Sequence, residues 1–149
     1  MNFKQQLAAF FRGELKRHEV IFLGQTPPIL LEHGMSNLGI FISQATLKKV
    51  YRPQDSVATG HGISRQILKT VKEQIENPLM ILKGNSNKSF VIVTEKIDCN
   101  KRPVVVAIHS DVDFVFEKRN EIKSIHGRND FDCYIKREIE KGNLLYKKS

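Results

Sequence analysis

Apolar residues at the start of the chain recur at helical spacing. They are Phe3, Leu7, Phe10, Phe11 and Leu15, with Lys and Arg between them. This pattern predicts an amphipathic helix over residues 2–17. Such a helix suits a membrane surface, but we favour packing on the domain or on a partner. We therefore divide the chain into residues 1–19, an N-terminal helix or the end of a linker, and residues 20–149, the folded domain.

Short strands and helices follow in the first half of the chain. The apolar runs 20–23 and 38–42 predict strands, and one helical turn is expected between them at 29–31, closed by Gly34. Ser43 and Ser64 are the expected N-caps of two further helices, Gln44 to Tyr51 and a longer one ending at Asn77-Pro78. The polar, glycine-containing stretch 53–62 is expected to be a loop between them.

After Pro78 the apolar period shortens to that of strands. Residues 79–82, 90–94 and 104–108 are apolar runs separated by turn-forming residues, which predicts an antiparallel meander. Val112–Glu117 and Glu121–His126 are expected to add a fourth strand or a hairpin arm. A helix capped by Asn129 and by Gly142 should then face inward through Phe131, Tyr134, Ile135 and Ile139, followed by a strand at 143–147. The fold class is α+β.

The charge of the chain narrows the choice of partner. The 149 residues suit one domain, and their formal net charge is +8. That excess favours a polyanion or an anionic membrane surface, although a solvated basic surface also explains it. No apolar run is long enough to span a membrane, so stable membrane insertion is not expected. Two cysteines without metal-ligand or disulfide spacing suit a cytoplasmic site of action.

Basic residues concentrate between positions 44 and 72. They are Lys48, Lys49, Arg52, Arg65, Lys69 and Lys72, with Asp55 as the acidic residue of the segment. Tyr51 and His61 lie among them. Cations neutralise phosphates and an aromatic ring stacks on a base, so Lys49, Tyr51, Arg52, Arg65 and Lys69 are candidate RNA-binding residues. Two ordinary basic helix faces are the alternative interpretation.

Two places in the sequence suit proton transfer and phosphate binding. His61 lies between two glycines just before a predicted helix, where an imidazole titrating near pH 6.5 is available and a helix N-terminus favours an anion. On an alternating strand over 123–128, Ser124, His126 and Arg128 share one face, opposite Lys123, Ile125 and Gly127. A hydroxyl, an imidazole and a guanidinium suit phosphate chemistry. A loop histidine without a role and a solvated polar face remain the alternatives.

Other kinds of site lack their sequence signals. The remaining histidines, His18, His33 and His109, are scattered, and no group of His, Cys and Asp has metal-ligand spacing. Neither a G-x-S-x-G elbow nor a glycine-rich phosphate loop is present. We therefore expect no metal and no cofactor. The residues alone indicate a basic α+β domain that binds RNA.

Several segments in a fixed order resemble a known family. They are 23–28 (LGQTPP), Lys48, His61 with Ile63-Ser64, 77–81 (NPLMI), 93–95 (VTE), 102–107 (RPVVVA), 122–128 (IKSIHGR) and 142–146 (GNLLY). Together they resemble the phage MuF C-terminal domain group, which is placed in the barnase/EndoU/colicin/RelE-like nuclease superfamily. The resemblance covers residues 20–147. It implies helices packed on a four- or five-stranded antiparallel sheet.

The resemblance also implies an activity. Members of the superfamily are typically metal-independent ribonucleases, often toxins with an immunity protein or antitoxin, and some cut tRNA. Lys48, His61 and Ser124 match polar positions of the family, while position 126 is often tyrosine where this chain has His126. Our own hypothesis for the reaction is transesterification, in which His61 transfers one proton, His126 is the candidate for the second, Lys48 and Arg128 hold charge on the phosphate, and Ser124 hydrogen-bonds a phosphate oxygen.

Three other functions are compatible with the same sequence. The first is an RNA-binding module without turnover, whose binding weakens with salt. The second is a structural or interaction domain of the phage particle. The third is a different toxin activity that transfers a group from a nucleotide cofactor, which the missing glycine-rich loop disfavours.

Overall fold

A computed structural model describes residues 1–51 and 62–149 of the chain. The described helices are α1 (Phe3–Phe11), α2 (Pro28–Glu32), α3 (Gln44–Val50), α4 (Arg65–Glu76) and α5 (Phe131–Glu140). The described strands are β1 (Val20–Gln25), β2 (Gly39–Ser43), β3 (Met80–Lys83), β4 (Ser89–Ile97), β5 (Pro103–Phe114), β6 (Glu117–Gly127) and β7 (Leu144–Lys147). The predicted loop over 53–62 falls almost entirely outside the described residues.

The strands that the structure describes form one seven-stranded sheet in the order β1-β2-β6-β5-β4-β3-β7. The α+β class is confirmed, but a four- or five-stranded, wholly antiparallel sheet is wrong. The predicted meander is present as β3 to β6. At one edge the antiparallel β1–β2 pair extends the meander, since β2 pairs with β6 in parallel. At the other edge β7 extends it by pairing with β3.

The main hydrophobic core lies between one face of the sheet and helices α1, α3 and α4. Leu47, Val50, Leu68 and Ile75 come from the helices, and they pack with strand residues such as Ile122. Ser43 and Ser64 cap α3 and α4 as predicted, since each hydroxyl accepts a hydrogen bond from a backbone N–H in the first helical turn. These two N-caps fix the residues at which α3 and α4 begin.

Helix α1 belongs to the same core. Phe3 and Leu7 are buried in it, so the helix packs on the domain. It is shorter than the predicted 2–17, because the chain turns at Gly13, whose φ of 71° ends the helical path. Gln6 also closes the open edge of β1: its side-chain amide accepts from Phe22 N at 3.0 Å and donates to Phe22 O at 3.1 Å.

Helix α5 covers part of the opposite face. Ile135 packs there on Leu82, Val93 and Val105, which form a second, smaller core. Two details of the prediction were wrong. Asp130, with φ of 50°, occupies the N-cap position in place of Asn129, and Ile139 is 47% exposed because it borders an open depression beside the helix.

Candidate functional site

A bulge in β6 decides which of its side chains face α5. Ala107 pairs with Ser124 and the next residue, Ile108, pairs with Ile122, so Lys123 has no partner on β5. The extra residue lets both Ile122 and Ile125 point into the main core, although they are three positions apart. Ser124 therefore lies on the face that α5 partly covers.

Ser124 and His126 form a hydrogen-bonded pair on that face. Ser124 Oγ and His126 Nδ1 lie 2.9 Å apart, and both side chains are half-buried. Which of the two atoms donates depends on the tautomer of the imidazole. The predicted sharing of one face by Ser124 and His126 is confirmed by their hydrogen bond. Their register partners agree, since Val105 packs on Ile135 of α5 and Ala107 lines a groove with Tyr134 of α5.

Arg128 is held on the same face by the turn between β4 and β5. The buried carboxylate of Asp98 accepts from Arg102 Nε at 2.8 Å, and Arg102 Nη1 donates to the side chain of Asn129 at 3.1 Å. Arg128 N donates to Pro103 O at 2.8 Å. Anchored in this way, the guanidinium of Arg128 lies 4.0 Å from the centre of the Tyr134 ring, on α5.

The Arg128 side chain has an unmatched hydrogen-bond donor. Its Nε is buried and has no hydrogen-bond partner among the described residues. A buried donor without an acceptor costs free energy, so such an atom in a native site calls for an explanation. An anion bound at this position would supply the missing acceptor.

The Asp98 carboxylate also explains why residue 127 is glycine. A Cβ at Gly127 would overlap the Asp98 carboxylate, with the Asp98 Cγ only 2.6 Å away. Three N–H groups of Asn100 and Arg102 hold that carboxylate in place.

We expect Gly127→Ala to lower the free energy of unfolding by about 1–3 kcal/mol. Urea denaturation measures it, and an unchanged midpoint would contradict it. Lys118→Ala, at an exposed position of the same strand, should stay within about 0.5 kcal/mol.

A groove of about 480 Å³ opens beside these residues, between α5 and the β3–β4 turn. We call it the basic groove. Its floor includes Val91 and Ala107, and its walls carry Lys83, Asn85, His109, Arg128, Tyr134, Arg137, Glu138 and Lys141. Ala107 is the register partner of Ser124, so the groove adjoins the Ser124–His126 pair. Of the described residues lining it, four are Lys or Arg and one is acidic, which gives it a positive potential.

Tyr134 remains a neutral phenol in this setting. Burial raises the pKa of Tyr134, and the nearby carboxylate of Glu138 raises it further, while Arg128 acts in the opposite direction. The hydroxyl therefore stays protonated at neutral pH. In this protonated form it is available as a hydrogen-bond donor and not as a base.

The residues predicted in the helical half lie elsewhere. Lys48, on α3, borders a separate depression with Arg17, Ser43 and Phe114, and the exposed Lys49 and Lys69 lie on helices that pack against the other face of the sheet. Tyr51 packs against Phe11, and Arg65 lies 4.3 Å from the Phe11 ring centre and donates to Tyr51 Oη at 3.3 Å. These five residues do not line the basic groove. Arg52 and His61 lie outside the described residues.

Sequence reasoning missed most of the basic groove. The histidine spacing assigns no role to His109, and the helical pattern places Tyr134 only in the core. Two signals were available. Ala107 and His109 alternate along β5, and Tyr134, Arg137, Glu138 and Lys141 are spaced three and four residues apart, which places them on one face of a helix.

The described residues contain no group of three His, Cys, Asp or Glu side chains arranged to hold a metal ion. Within the same part of the chain, no helix has the length and apolar character needed to cross a membrane.

Comparison with family models gives a match to the phage MuF C-terminal domain over residues 53–149. The chain belongs to this family. No curated protein and no solved structure gives a significant match.

Some candidate residues of this MuF C-terminal domain lie inside the segment that matches the family, and others lie outside it. The matched segment contains Ser124, His126, Arg128 and every residue of the basic groove. It begins after α3, so Lys48 and Lys49 lie outside it, whereas His61 lies inside it. The family assignment thus falls on the part of the chain that builds the groove.

Proposed function

We propose that this MuF C-terminal domain is a metal-independent endoribonuclease. The observation that carries the proposal is the hydrogen-bonded Ser124–His126 pair beside Arg128, whose buried Nε has no partner among the described residues. An imidazole transfers protons at neutral pH, and a guanidinium holds a phosphate by two hydrogen bonds. The adjoining basic groove gives the polyanion a surface to bind.

The proposed reaction is a transesterification. A base takes the proton of a ribose 2′-OH, and the 2′-oxygen forms a bond to the adjacent phosphorus. The bond from phosphorus to the 5′-oxygen breaks, and an acid returns a proton to that leaving oxygen. The products are a 2′,3′-cyclic phosphate and a 5′-hydroxyl. His126 takes one proton-transfer role and His61 the other, while Arg128 stabilises the charge on the phosphate and Ser124 positions His126 or a phosphate oxygen. Lys48 takes no part in this proposal, because it borders a separate depression away from the basic groove.

The biological setting is part of the same proposal and rests on the resemblance to the nuclease superfamily. The domain acts in the cytoplasm of a target cell as a toxin or phage-associated effector, with tRNA as one candidate substrate. A cognate immunity protein or antitoxin restrains it.

The test is incubation of the purified chain with total RNA and with a DNA of matched sequence, both in EDTA. We expect RNA fragments that end in a 2′,3′-cyclic phosphate and intact DNA, because DNA lacks the attacking hydroxyl. RNA that is bound but never cut, with affinity that falls as salt rises, would replace the nuclease with an RNA-binding module.

The hairpin that joins β5 and β6 favours a second candidate, an interaction domain of the phage particle. At its tip Val115 is 79% and Phe116 is 99% exposed, which is unusual for large apolar side chains. Intact RNA, together with a particle protein that binds the chain but not its Phe116→Ser variant, would favour this function.

A further inference from the structure

The basic groove contains cations that the described protein leaves without an anion. Arg128, Arg137 and Lys83 line it, and none of them forms an ion pair with a described residue. Glu138, the acidic residue of the lining, lies 3.4 Å from Lys141 and accepts from Asn143 Nδ2 at 3.3 Å. Like charges gathered on one concave surface repel each other, so the arrangement favours an anionic ligand.

The groove has a solvent-exposed mouth and a half-buried interior, which differ in the exposure of their side chains. Lys83, Arg137 and Lys141 are exposed, whereas Arg128 and Tyr134 are half-buried. The mouth therefore suits a phosphate, which keeps part of its hydration. The interior offers a guanidinium stacked on an aromatic ring at 4.0 Å, and both kinds of surface stack on an unpaired base.

The size and polarity of the groove fit one nucleotide. Its volume of about 480 Å³ is within the range of small-molecule sites. Asn85, in the β3–β4 turn, is exposed at the rim and presents an amide that can donate to and accept from the edge of a base. The apolar floor of Val91 and Ala107 suits the flat face of a base better than it suits a hydrated phosphate.

We propose that the basic groove is a subsite for one unpaired nucleotide of a single-stranded RNA. The base lies on the Arg128–Tyr134 pair, and the neighbouring phosphates contact Lys83, Arg137 and Lys141. The inference deepens the proposed ribonuclease function and rests on it for the identity of the ligand. Ala107 lines the groove, and its register partner Ser124 lies on the neighbouring strand, about 4.8 Å away. The subsite therefore lies next to the proposed reaction centre.

The test measures binding without cleavage. A fluorescent 2′-O-methyl RNA strand, which lacks the attacking hydroxyl, is titrated as a single strand and as a duplex with its complement. We expect the single strand to bind at least about tenfold more tightly, because a paired base cannot enter the groove. Tyr134→Leu should weaken single-strand binding by about tenfold, and Tyr134→Phe should retain most of the affinity.

The charges at the mouth are tested with exposed residues, so that folding is not at issue. Arg137→Ala should reduce the slope of log affinity against log salt by about 0.7, the value expected for one phosphate contact on a single strand. Lys136→Ala, at the adjacent exposed position of α5, should leave the slope unchanged. Equal binding of single strand and duplex, or wild-type behaviour of both Tyr134→Leu and Arg137→Ala, would overturn the subsite.

The outcomes distinguish this inference from the nuclease. If ordinary RNA is cleaved and the groove variants bind RNA as the wild type does, the nuclease proposal is supported and the subsite proposal is wrong. Groove-dependent binding of the single strand without cleavage would keep the subsite and reject the nuclease.

Discussion

Replacing His126 with alanine is expected to lower the rate of RNA cleavage by about 10²–10⁴-fold, the usual cost of removing a general acid or base. The imidazole lies 2.9 Å from Ser124 Oγ and faces the side of the sheet on which Arg128 and the basic groove lie. Its loss removes a proton-transfer group of that surface and leaves the proposed phosphate contact of Arg128 in place. The cleavage rate should therefore fall much more than the affinity for RNA.

His61→Ala is the companion measurement, since the proposed mechanism uses two proton-transfer groups. A loss of less than about tenfold in this variant would count against a role for His61. His33→Ala is the matched control: His33 lies outside the basic groove, where its Nδ1 is 2.9 Å from Ile29 O, and its removal should leave the cleavage rate near that of the wild type. Thermal unfolding of each variant separates lost chemistry from lost structure.

The pH dependence of cleavage provides an independent check. A histidine base is inactive when protonated, so the rate should fall as the pH is lowered. The Tyr134 hydroxyl does not replace it, because burial holds the pKa of Tyr134 above its ordinary value. If both histidine variants cleave at the wild-type rate, acid–base catalysis by these two residues is wrong.

The local elements of this fold could be predicted from the sequence, while the size of its sheet could not. The segments 20–23, 38–42 and 143–147 are predicted as strands, and strands cover all three places in the structure. The resemblance nevertheless implied four or five strands. Which strands pair depends on long-range contacts, such as the parallel pairing of β2 with β6, that no local pattern records.

The candidate site could be predicted only in part, because local patterns show which side chains share a face but long-range contacts decide which segments meet. Alternation along 124–128 correctly placed Ser124 and His126 on one face, because a strand imposes a period of two. The bulge at Lys123 has no clear sequence signal, so strict alternation does not predict that Lys123 lacks a register partner on β5. The basic groove joins α5 to the β3–β4 turn, which lie about fifty residues apart, and only the tertiary structure brings them together.

Asn120 joins three separate segments, and Asn120→Ala is the substitution expected to destabilise the fold most. The side chain is 0% exposed. Its Nδ2 donates to Thr26 Oγ1 at 2.7 Å and to Ser36 O at 2.9 Å, while its Oδ1 accepts from Ser110 Oγ at 2.7 Å and from Asp111 N at 3.2 Å. Alanine leaves four polar groups without this partner in a buried region.

Each buried group left unsatisfied costs about 1–3 kcal/mol, and entry of water into the vacated space offsets part of the sum. We expect the free energy of unfolding to fall by about 3 kcal/mol, measured by urea denaturation. Asn87→Ala, at an exposed turn position, should change it by less than about 0.5 kcal/mol. A loss below about 1 kcal/mol for Asn120→Ala would show that the network contributes little to stability.

The same substitution should also weaken the basic groove. Ser110 and Asp111 form the bulge in β5 that directly follows His109, a residue of the groove wall. Once Asn120 no longer holds that bulge, His109 loses a fixed position beside β6. Binding of a 2′-O-methyl RNA strand should therefore weaken in Asn120→Ala even at temperatures where the variant is folded. Wild-type affinity under those conditions would show that the groove does not depend on this network.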